Sequence, residues 1–333
     1  MTKFKVATWN LENLYSPGST YGPGSVAEYE AKLDSLAAAI LKLDPDVLAV
    51  QEVGDNEALT NLVAKLQNRY HHTRLSAHPD SRGIRVGFVS KLELHDPVDF
   101  VAFPEEGIGF VPGIDSRGKP VEVSRMGRGA LLVAVKPGPD CLVHLMTAHL
   151  KSKLLTYPSR SGRARFSPQD EDERAWVAGI ALMKRTAEAV TLRVKANALL
   201  AENDRNALIL LGDLNDVVNA ATTQILKGPG GSEINNKRAF NRADQGDDTR
   251  LWNLAHLIPA NRRYSRKYKG TGELIDHIFV SQELLPGKPR RLPEVDSHVD
   301  AIGDGLPVVD DHPGLRLGEA GSDHAPITAI FEL

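Results

Sequence analysis

Apolar and polar positions divide the chain into short runs with period two and a few longer runs with a period near 3.6. Phe4–Trp9, Val47–Val50, Ile84–Val89, Ala130–Val135, Leu142–Ala148, Ala207–Leu211, Ile275–Val280 and Ile327–Phe331 are short, often rich in Val or Ile, and bounded by Gly, Pro or Asp; they are predicted strands. Tyr29, Leu33, Leu36, Ile40 and Leu43 step by four and three ahead of Pro45, and Leu59, Leu62, Val63 and Leu66 repeat the pattern, which predicts two helices. A third helix is expected from about Ser167 to Ala201. Ser167-Pro168 suits its cap and first position, Asp170–Glu173 form an acidic first turn, and Trp176, Ile180, Met183, Ala187, Val190 and Val194 make the expected core stripe. Many strands mixed with few helices indicate a layered α/β or α+β domain. The Pro- and Gly-rich pieces (16–24, 104–120, 228–231 and 303–318) fall between strands and read as surface loops. No repeat of fixed period occurs, so residues 1–333 are expected to form a single domain.

The strand ends carry more polar chemistry than burial requires. The first run finishes on Asn10, Glu12 and Asn13, and Val47–Val50 runs into Gln51-Glu52. Leu142–Ala148 runs into His149, and Ala207–Leu211 into Gly212-Asp213-Leu214-Asn215-Asp216. Ile275 leads into Asp276-His277, and Ser322-Asp323-His324 precedes the last strand. If these ends converge, carboxylates, amides and imidazoles cluster at one edge. Packed carboxylates repel unless protonated or bridged by a cation, and oxygen ligands favour Mg²⁺, Mn²⁺ or Ca²⁺ over zinc.

Composition narrows the setting. At 333 residues and 41% hydrophobic the chain can bury a large core. A net charge of -3 gives no global pull toward nucleic acid, so any such preference must be local. The single Cys141 excludes an intramolecular disulfide framework and suits a reducing compartment. The MTKFKVATW start lacks the apolar run of a signal peptide, and no apolar stretch is long enough to span a membrane. A soluble, cytoplasmic protein is expected; a secreted one whose leader has been removed remains compatible. No membrane or protein partner is expected.

TWNLEN, Gln51-Glu52, TAHLKSK (147–153), GDLND (212–216), IDHIFVS (275–281) and SDHAPI (322–327) together, in this order, resemble the endonuclease/exonuclease/phosphatase superfamily. The resemblance spans nearly the whole chain and is nearest to bacterial nuclease members. It implies a four-layer α/β/β/α sandwich: two mixed sheets face to face, helices outside. It also implies a Mg²⁺-dependent phosphoric ester hydrolase, with Mn²⁺ or Ca²⁺ as substitutes.

Carried over residue by residue, the resemblance makes Glu52 the main metal ligand, completed by Glu12 and Asp323. Period two would put Asn10 and Glu12 on one strand face, with Asn10 assigned to substrate contact. Asp213 is expected to orient or deprotonate the attacking water, and Asn215 to hold a phosphoryl oxygen or that carboxylate. His149 is expected to donate to a non-bridging phosphoryl oxygen. Asp276 would fix the tautomer of His324 and favour its protonated form. Asp216 reads as a cap or turn residue, and His277 as surface or structural.

Substrate choice rests on local patches. Arg128 resembles a phosphate-contacting arginine of some members, though an ordinary surface arginine fits equally. Lys151, Lys153, Arg160, Arg163 and Arg165 follow the His149 strand with no acid among them, and Lys151, Arg160, Arg163 and Arg165 are assigned to substrate. Arg262, Arg263, Arg266, Lys267 and Lys269 interleave with Tyr264 and Tyr268, a pattern suited to phosphate tracking and base stacking. A solvated charged loop is the alternative for each patch. No Tyr lies between Tyr70 and Tyr157, where exonuclease III-type abasic endonucleases carry a catalytic one, which argues against base-excision repair. The acidic stretch Glu294–Asp311 would repel duplex DNA or hold a second cation. The expectation is a nuclease hydrolysing DNA or RNA, with a phosphatase or phosphodiesterase of small or lipid phosphates as the alternative. A catalytically dead scaffold conflicts with the intact polar set.

Overall fold

The structure is a computed structural model that describes residues 2–139, 141–159, 165–202, 206–227, 234, 249–285, 292–301, 305–312 and 316–333. In chain order it contains β1 (Lys3–Leu14), α1 (Val26–Leu43), β2 (Val47–Val53), α2 (Asn56–Ala64), β3 (His72–Leu75), β4 (Arg85–Ser90), β5 (His95–Ala102), β6 (Val111–Ile114), β7 (Pro120–Val123), β8 (Arg125–Gly138) and β9 (Cys141–His149). The remainder comprises α3 (Glu171–Glu202), β10 (Ala207–Asp213), α4 (Ala221–Leu226), β11 (Trp252–Asn253), β12 (Arg266–Tyr268), β13 (Thr271–Glu273), β14 (Asp276–Val280), β15 (Glu294–Ser297), β16 (Val308–Val309) and β17 (Ile327–Glu332).

Two six-stranded mixed sheets carry the fold, in the orders β15-β17-β1-β2-β4-β3 and β11-β14-β10-β9-β8-β5. Three apolar clusters define four layers. Phe4, Val6, Val47 and Phe88 from the first sheet meet Val133, Leu145, Ile209 and Ile278 from the second. Trp9, Leu11, Leu48 and Val50 face outward against Leu33, Leu36 and Ile40 of α1 and Leu59 and Leu62 of α2. Met146, Ala148, Leu208 and Phe279 face outward against Ala187, Leu192 and Ala196 of α3. Strands covered on both faces must be apolar on both, which is why their runs are nearly continuous. This is the four-layer sandwich, with every predicted strand and helix present and most of them longer than the apolar run alone.

The long helix differs from expectation in two ways. It starts at Glu171 rather than Ser167, with the Asp170 carboxylate accepting the Glu173 N–H at 2.8 Å in the capping role. Its buried face only partly matches the expected stripe: Ala187 is buried and Ile180 and Val190 are half-buried, but Trp176 is 70% exposed and Met183 and Val194 are also exposed. The buried face instead carries Val177, Ala181, Arg185, Glu188, Leu192 and Ala196. Arg185 and Glu188 serve loop backbone there, Glu188 accepting from Gly127 N (2.8 Å) and Lys151 N (2.5 Å). A hydrophobicity pattern passes over such positions.

Register sets the site. Asn10 pairs with Gln51 across β1–β2, and Asp213 lies between His149 of β9 and Asp276 of β14. Gly212 makes that approach feasible: its φ is +152°, and a Cβ there would sit 2.1 Å from the Ala148 carbonyl oxygen. Asn10 and Glu12 do not share a simple alternating face. Glu12 and Asn13 adopt φ of +48° and +51°, and the β1–β2 register shifts between Asn10 and Leu14.

Candidate active site

Asp213 is the hub of the polar cluster. Its Oδ2 accepts from Asn10 Nδ2 at 2.9 Å and lies 3.3 Å from His149 Nε2 and 3.9 Å from His324 Nε2. Its Oδ1 accepts the Asn215 N–H at 2.9 Å. Burial, with Asp276 alongside, pushes its pKa up to about 7, against the opposing pull of His324 and Asn10. Asn215 sits at φ +55° and donates its amide to the Leu150 carbonyl at 3.1 Å, a left-handed turn that points the Asp213 carboxylate back into the cluster.

Two imidazoles flank this carboxylate in opposite protonation states. His149 is 2% exposed; burial, then the charge of Arg128, holds it well below its ordinary pKa, so it is neutral at pH 7. Its Nδ1 is buried without a hydrogen-bond partner among the described residues. Burial also disfavours charge on His324, but Asp276, Asp323 and Asp213 outweigh it and push the pKa up to about 10. His324 Nδ1 lies 2.7 Å from Asp276 Oδ2, a charge-assisted contact. Asp276 Oδ1 is buried and unpartnered among the described residues.

The acids at the rim are held differently. Glu52, at φ +61°, accepts the Asn13 N–H at 2.9 Å and lies 4.0 Å from His149 Nε2. Asp323 lies 3.7 Å from Arg266 Nε and 4.0 Å from His324 Nε2. Glu12 is bound by both arms of Arg316, at 2.6 and 2.9 Å. Burial and Asp323 nonetheless raise its pKa to about 7. Lys32 of α1 is buried beneath this edge and donates to the Gly321 carbonyl at 2.6 Å. Burial first, and neighbouring acids second, raise the Asp213 and Glu12 carboxyls, and a divalent cation beside these acids would favour their charged forms. Asp213, Asp276 and His324 also place ligand atoms within 4.8 Å of one another, a buried grouping consistent with a metal site.

The structure therefore brings Asn10, Glu12, Glu52, His149, Asp213, Asn215, Asp276, Asp323 and His324 to one edge. Asn10 is spent within the cluster, its Nδ2 on Asp213 and its Oδ1 on the Glu12 N–H at 2.9 Å. Arg128 borders it, with Nη1 near the His149 and Leu150 carbonyls at 3.5 and 3.3 Å and Nε 3.3 Å from Asp80. Lys151 points inward: burial and Arg128 lower its pKa to about 8, and Nζ donates to the Ser152 and Leu154 carbonyls at 3.3 and 3.4 Å. Arg165 is tied to Glu173 at 2.6 Å. Arg160 and Arg163 lie outside the described residues.

The acidic stretch pairs with two members of the second basic patch, Arg262 and Lys269, while Arg263 donates to the His256 and Ile258 carbonyls. Arg262 pairs with Asp296 (3.1 Å) and Asp300 (2.8 Å), and Lys269 with Asp311 (2.6 Å). The Tyr268 hydroxyl also donates to Asp311. His277 is structural, its ring between Asn253 Nδ2 (3.2 Å) and the Asp216 carbonyl (2.8 Å). Asp216 accepts from Thr222 and Arg185 at the α4 turn.

Sequence reasoning gave Asn13, whose N–H orients Glu52, no role, placed Arg266 in a substrate-tracking patch rather than beside Asp323, and missed Arg316 and Lys32, which balance the rim acids. Arg316 was visible as the basic residue just ahead of Ser322-Asp323-His324. Lys32 was hidden inside an amphipathic helix.

Comparison with known proteins fits this geometry. The endonuclease/exonuclease/phosphatase family model matches residues 7–324, and the chain belongs to that family of phosphoesterases. No curated protein matches it in sequence. Among solved structures it is similar to truncated Caenorhabditis elegans TDP2, with 14% identity, a TM-score of 0.56, and coverage of 99% of this chain and 98% of that one. A Bacteroides vulgatus endonuclease/exonuclease/phosphatase protein gives 15% identity, a TM-score of 0.56 and full coverage, 100% of each chain. The human Nocturnin catalytic domain, solved with a bound sulfate anion, gives 13% identity, a TM-score of 0.57, and coverage of 99% and 94%. At these identities the likeness concerns the fold.

Proposed function

We propose that the protein is a Mg²⁺-dependent phosphodiesterase acting on nucleic acid in the cytoplasm. The observation that carries the phosphoester chemistry is Asp213, a carboxylate with a pKa near 7 between a neutral and a protonated imidazole. A group poised near the working pH suits a general base, and Asp213 would orient and deprotonate the attacking water. His149, neutral and carrying a proton on one ring nitrogen, would donate to a non-bridging oxygen. His324, kept charged by Asp276, would donate to the phosphoryl group as negative charge develops there. Asn10 and Asn215 hold the Asp213 carboxylate in place.

Glu52 and Asp323 would hold the cation, with Glu12 joining if Arg316 releases it. His324 is a poor ligand while both its nitrogens are protonated, which favours the oxygen set over the Asp213–Asp276–His324 grouping. When bound, a divalent cation neutralises charge on the phosphoryl oxygens. Dialysed protein, with and without Mg²⁺, assayed on plasmid DNA, RNA, bis-p-nitrophenyl phosphate and p-nitrophenyl phosphate tests this reading. Mg²⁺-dependent cleavage of a polynucleotide is expected; hydrolysis of the monoester alone rejects it. One observation favours a small phosphate instead: Arg262 and Lys269 of the second basic patch are paired with acids, leaving fewer free cations to track a long backbone.

A further inference from the structure

Away from the reacting centre, Tyr21 is exposed and Arg82 is half-buried on neighbouring loops. The Tyr21 ring is 39% exposed, yet the loop carrying it is anchored. Ser16 donates its N–H (2.8 Å) and hydroxyl (2.9 Å) to Asp55, the N-cap of α2, which lies three residues beyond Glu52. Tyr15 is buried against Gly54 so closely that a Cβ there would meet its ring at 2.1 Å. Its hydroxyl donates to the Arg82 carbonyl at 2.8 Å. Tyr21 leans on Tyr15 with ring centroids 6.0 Å apart, and the Arg82 guanidinium carbon lies 5.9 Å from the Tyr21 centroid.

Asp80 connects this pair to the centre. Its Oδ1 accepts the Arg82 and Ile84 N–H groups at 2.8 and 3.1 Å, fixing the turn. Its Oδ2 lies 3.6 Å from Arg82 Nε and 3.3 Å from Arg128 Nε, and Arg128 in turn reaches the His149 carbonyl. Arg82 is within electrostatic reach of both Glu52 and His149. Among the described residues, nothing hydrogen-bonds its terminal guanidinium nitrogens. The result is an exposed aromatic ring on an anchored loop and a guanidinium with unbonded terminal nitrogens, beside the Glu52–His149 side of the site.

We propose that Tyr21 and Arg82 form a stacking subsite for a nucleobase attached next to the scissile phosphate. The subsite rests on the nuclease reading and narrows it to substrates with a base beside the cleaved bond. Every base has a π-face, so stacking accepts any sequence, and a guanidinium adds a cation–π contact. A lipid chain would need a contiguous apolar patch, whereas the contacts of this ring are the Tyr15 ring and the Arg82 guanidinium.

The test is binding of fluorescein-labelled single-stranded DNA and RNA oligonucleotides, by anisotropy in Mg²⁺, to Asp213→Asn protein so that the strand stays uncut. Adding Tyr21→Ala should weaken binding roughly ten- to a hundredfold, the range for one base–aromatic stack, while Tyr21→Phe should bind as before. Arg82→Ala, which leaves the loop anchors intact, should also weaken binding. An abasic linker placed at one particular position should weaken binding to the protein that retains Tyr21 by the same factor and to Tyr21→Ala hardly at all. Unchanged binding by Tyr21→Ala, or equal abasic losses in both proteins, overturns the subsite while leaving the nuclease reading intact. If wild-type protein neither binds nor cleaves either oligonucleotide yet hydrolyses p-nitrophenyl phosphate, the nuclease reading falls and the subsite with it.

Discussion

Replacing Asp213 with Asn should abolish most activity and, at alkaline pH without metal, make the protein more stable. The carboxyl is raised from 3.8 to about 7 by burial, so its folded pKa lies above its unfolded value. The stability it contributes is full below 3.8 and is lost as pH rises through about 7. At about 1.4 kcal/mol per tenfold, ionisation of the buried group costs on the order of 4 kcal/mol at pH 8. An amide escapes that charge but cannot accept at both positions: one oxygen must serve either Asn10 Nδ2 or the Asn215 N–H, both at 2.9 Å. The remaining donor pair conflicts, at about 1–3 kcal/mol. The balance at pH 8 is a net gain of roughly 1–3 kcal/mol, and near pH 4 only the conflict remains. Thermal unfolding by circular dichroism in EDTA should show the Asp213→Asn variant melting a few degrees higher than wild type at pH 8 and lower at pH 4. Turnover should drop at least about a hundredfold with substrate binding retained. A melting shift of the same size and sign at both pH values refutes the buried charge, and near-wild-type turnover refutes the base.

Asp276→Asn removes the largest charge holding the proton on His324; the alkaline limb of the pH–rate profile should move toward neutral, and an unmoved limb contradicts the dyad. His149→Ala should lower turnover by roughly 10²–10³, the scale of one transition-state donor, with the circular dichroism spectrum retained. Loss of the spectrum would instead make His149 a core residue, a reading its 2% exposure keeps open to test. Gly212→Ala places a Cβ 2.1 Å from the Ala148 oxygen and should abolish soluble folding, whereas Gly179→Ala in α3, with nothing within 4 Å, should be neutral or stabilising by up to about 1 kcal/mol; equal behaviour of the two variants rejects the close approach.

The core of the fold was legible because burial on both faces leaves a simple mark. The apolar runs of β1, β2, β9 and β10 each lead into a polar motif, whereas β14 begins on one, at Asp276-His277. Much of the α3 stripe was misread because that helix buries small residues together with Arg185, which donates to the Lys151 carbonyl and Asp216, and Glu188, which accepts from the Gly127 and Lys151 N–H groups. Asp213, His149, Asp276 and His324 were found through residue type and order. Their protonation states were not legible, since these depend on burial and on carboxylates far away in sequence. The same holds for Arg262 and Lys269: interleaved charge and aromatics in sequence say nothing of acids folded beside them. Glu12 looked like a free ligand because Arg316 is 304 residues away.

The most direct measurement is Mg²⁺ binding followed by hydrolysis in one titration. EDTA-dialysed wild-type and Glu52→Gln proteins would be titrated with Mg²⁺ in a calorimeter, and each point assayed on bis-p-nitrophenyl phosphate and an oligonucleotide. A metal-dependent site at Glu52 requires that wild-type protein bind Mg²⁺ and gain activity in the same concentration range, with both weakened together in Glu52→Gln. Full hydrolysis in excess EDTA, or a Glu52→Gln protein that binds and responds to Mg²⁺ as wild type does, contradicts it.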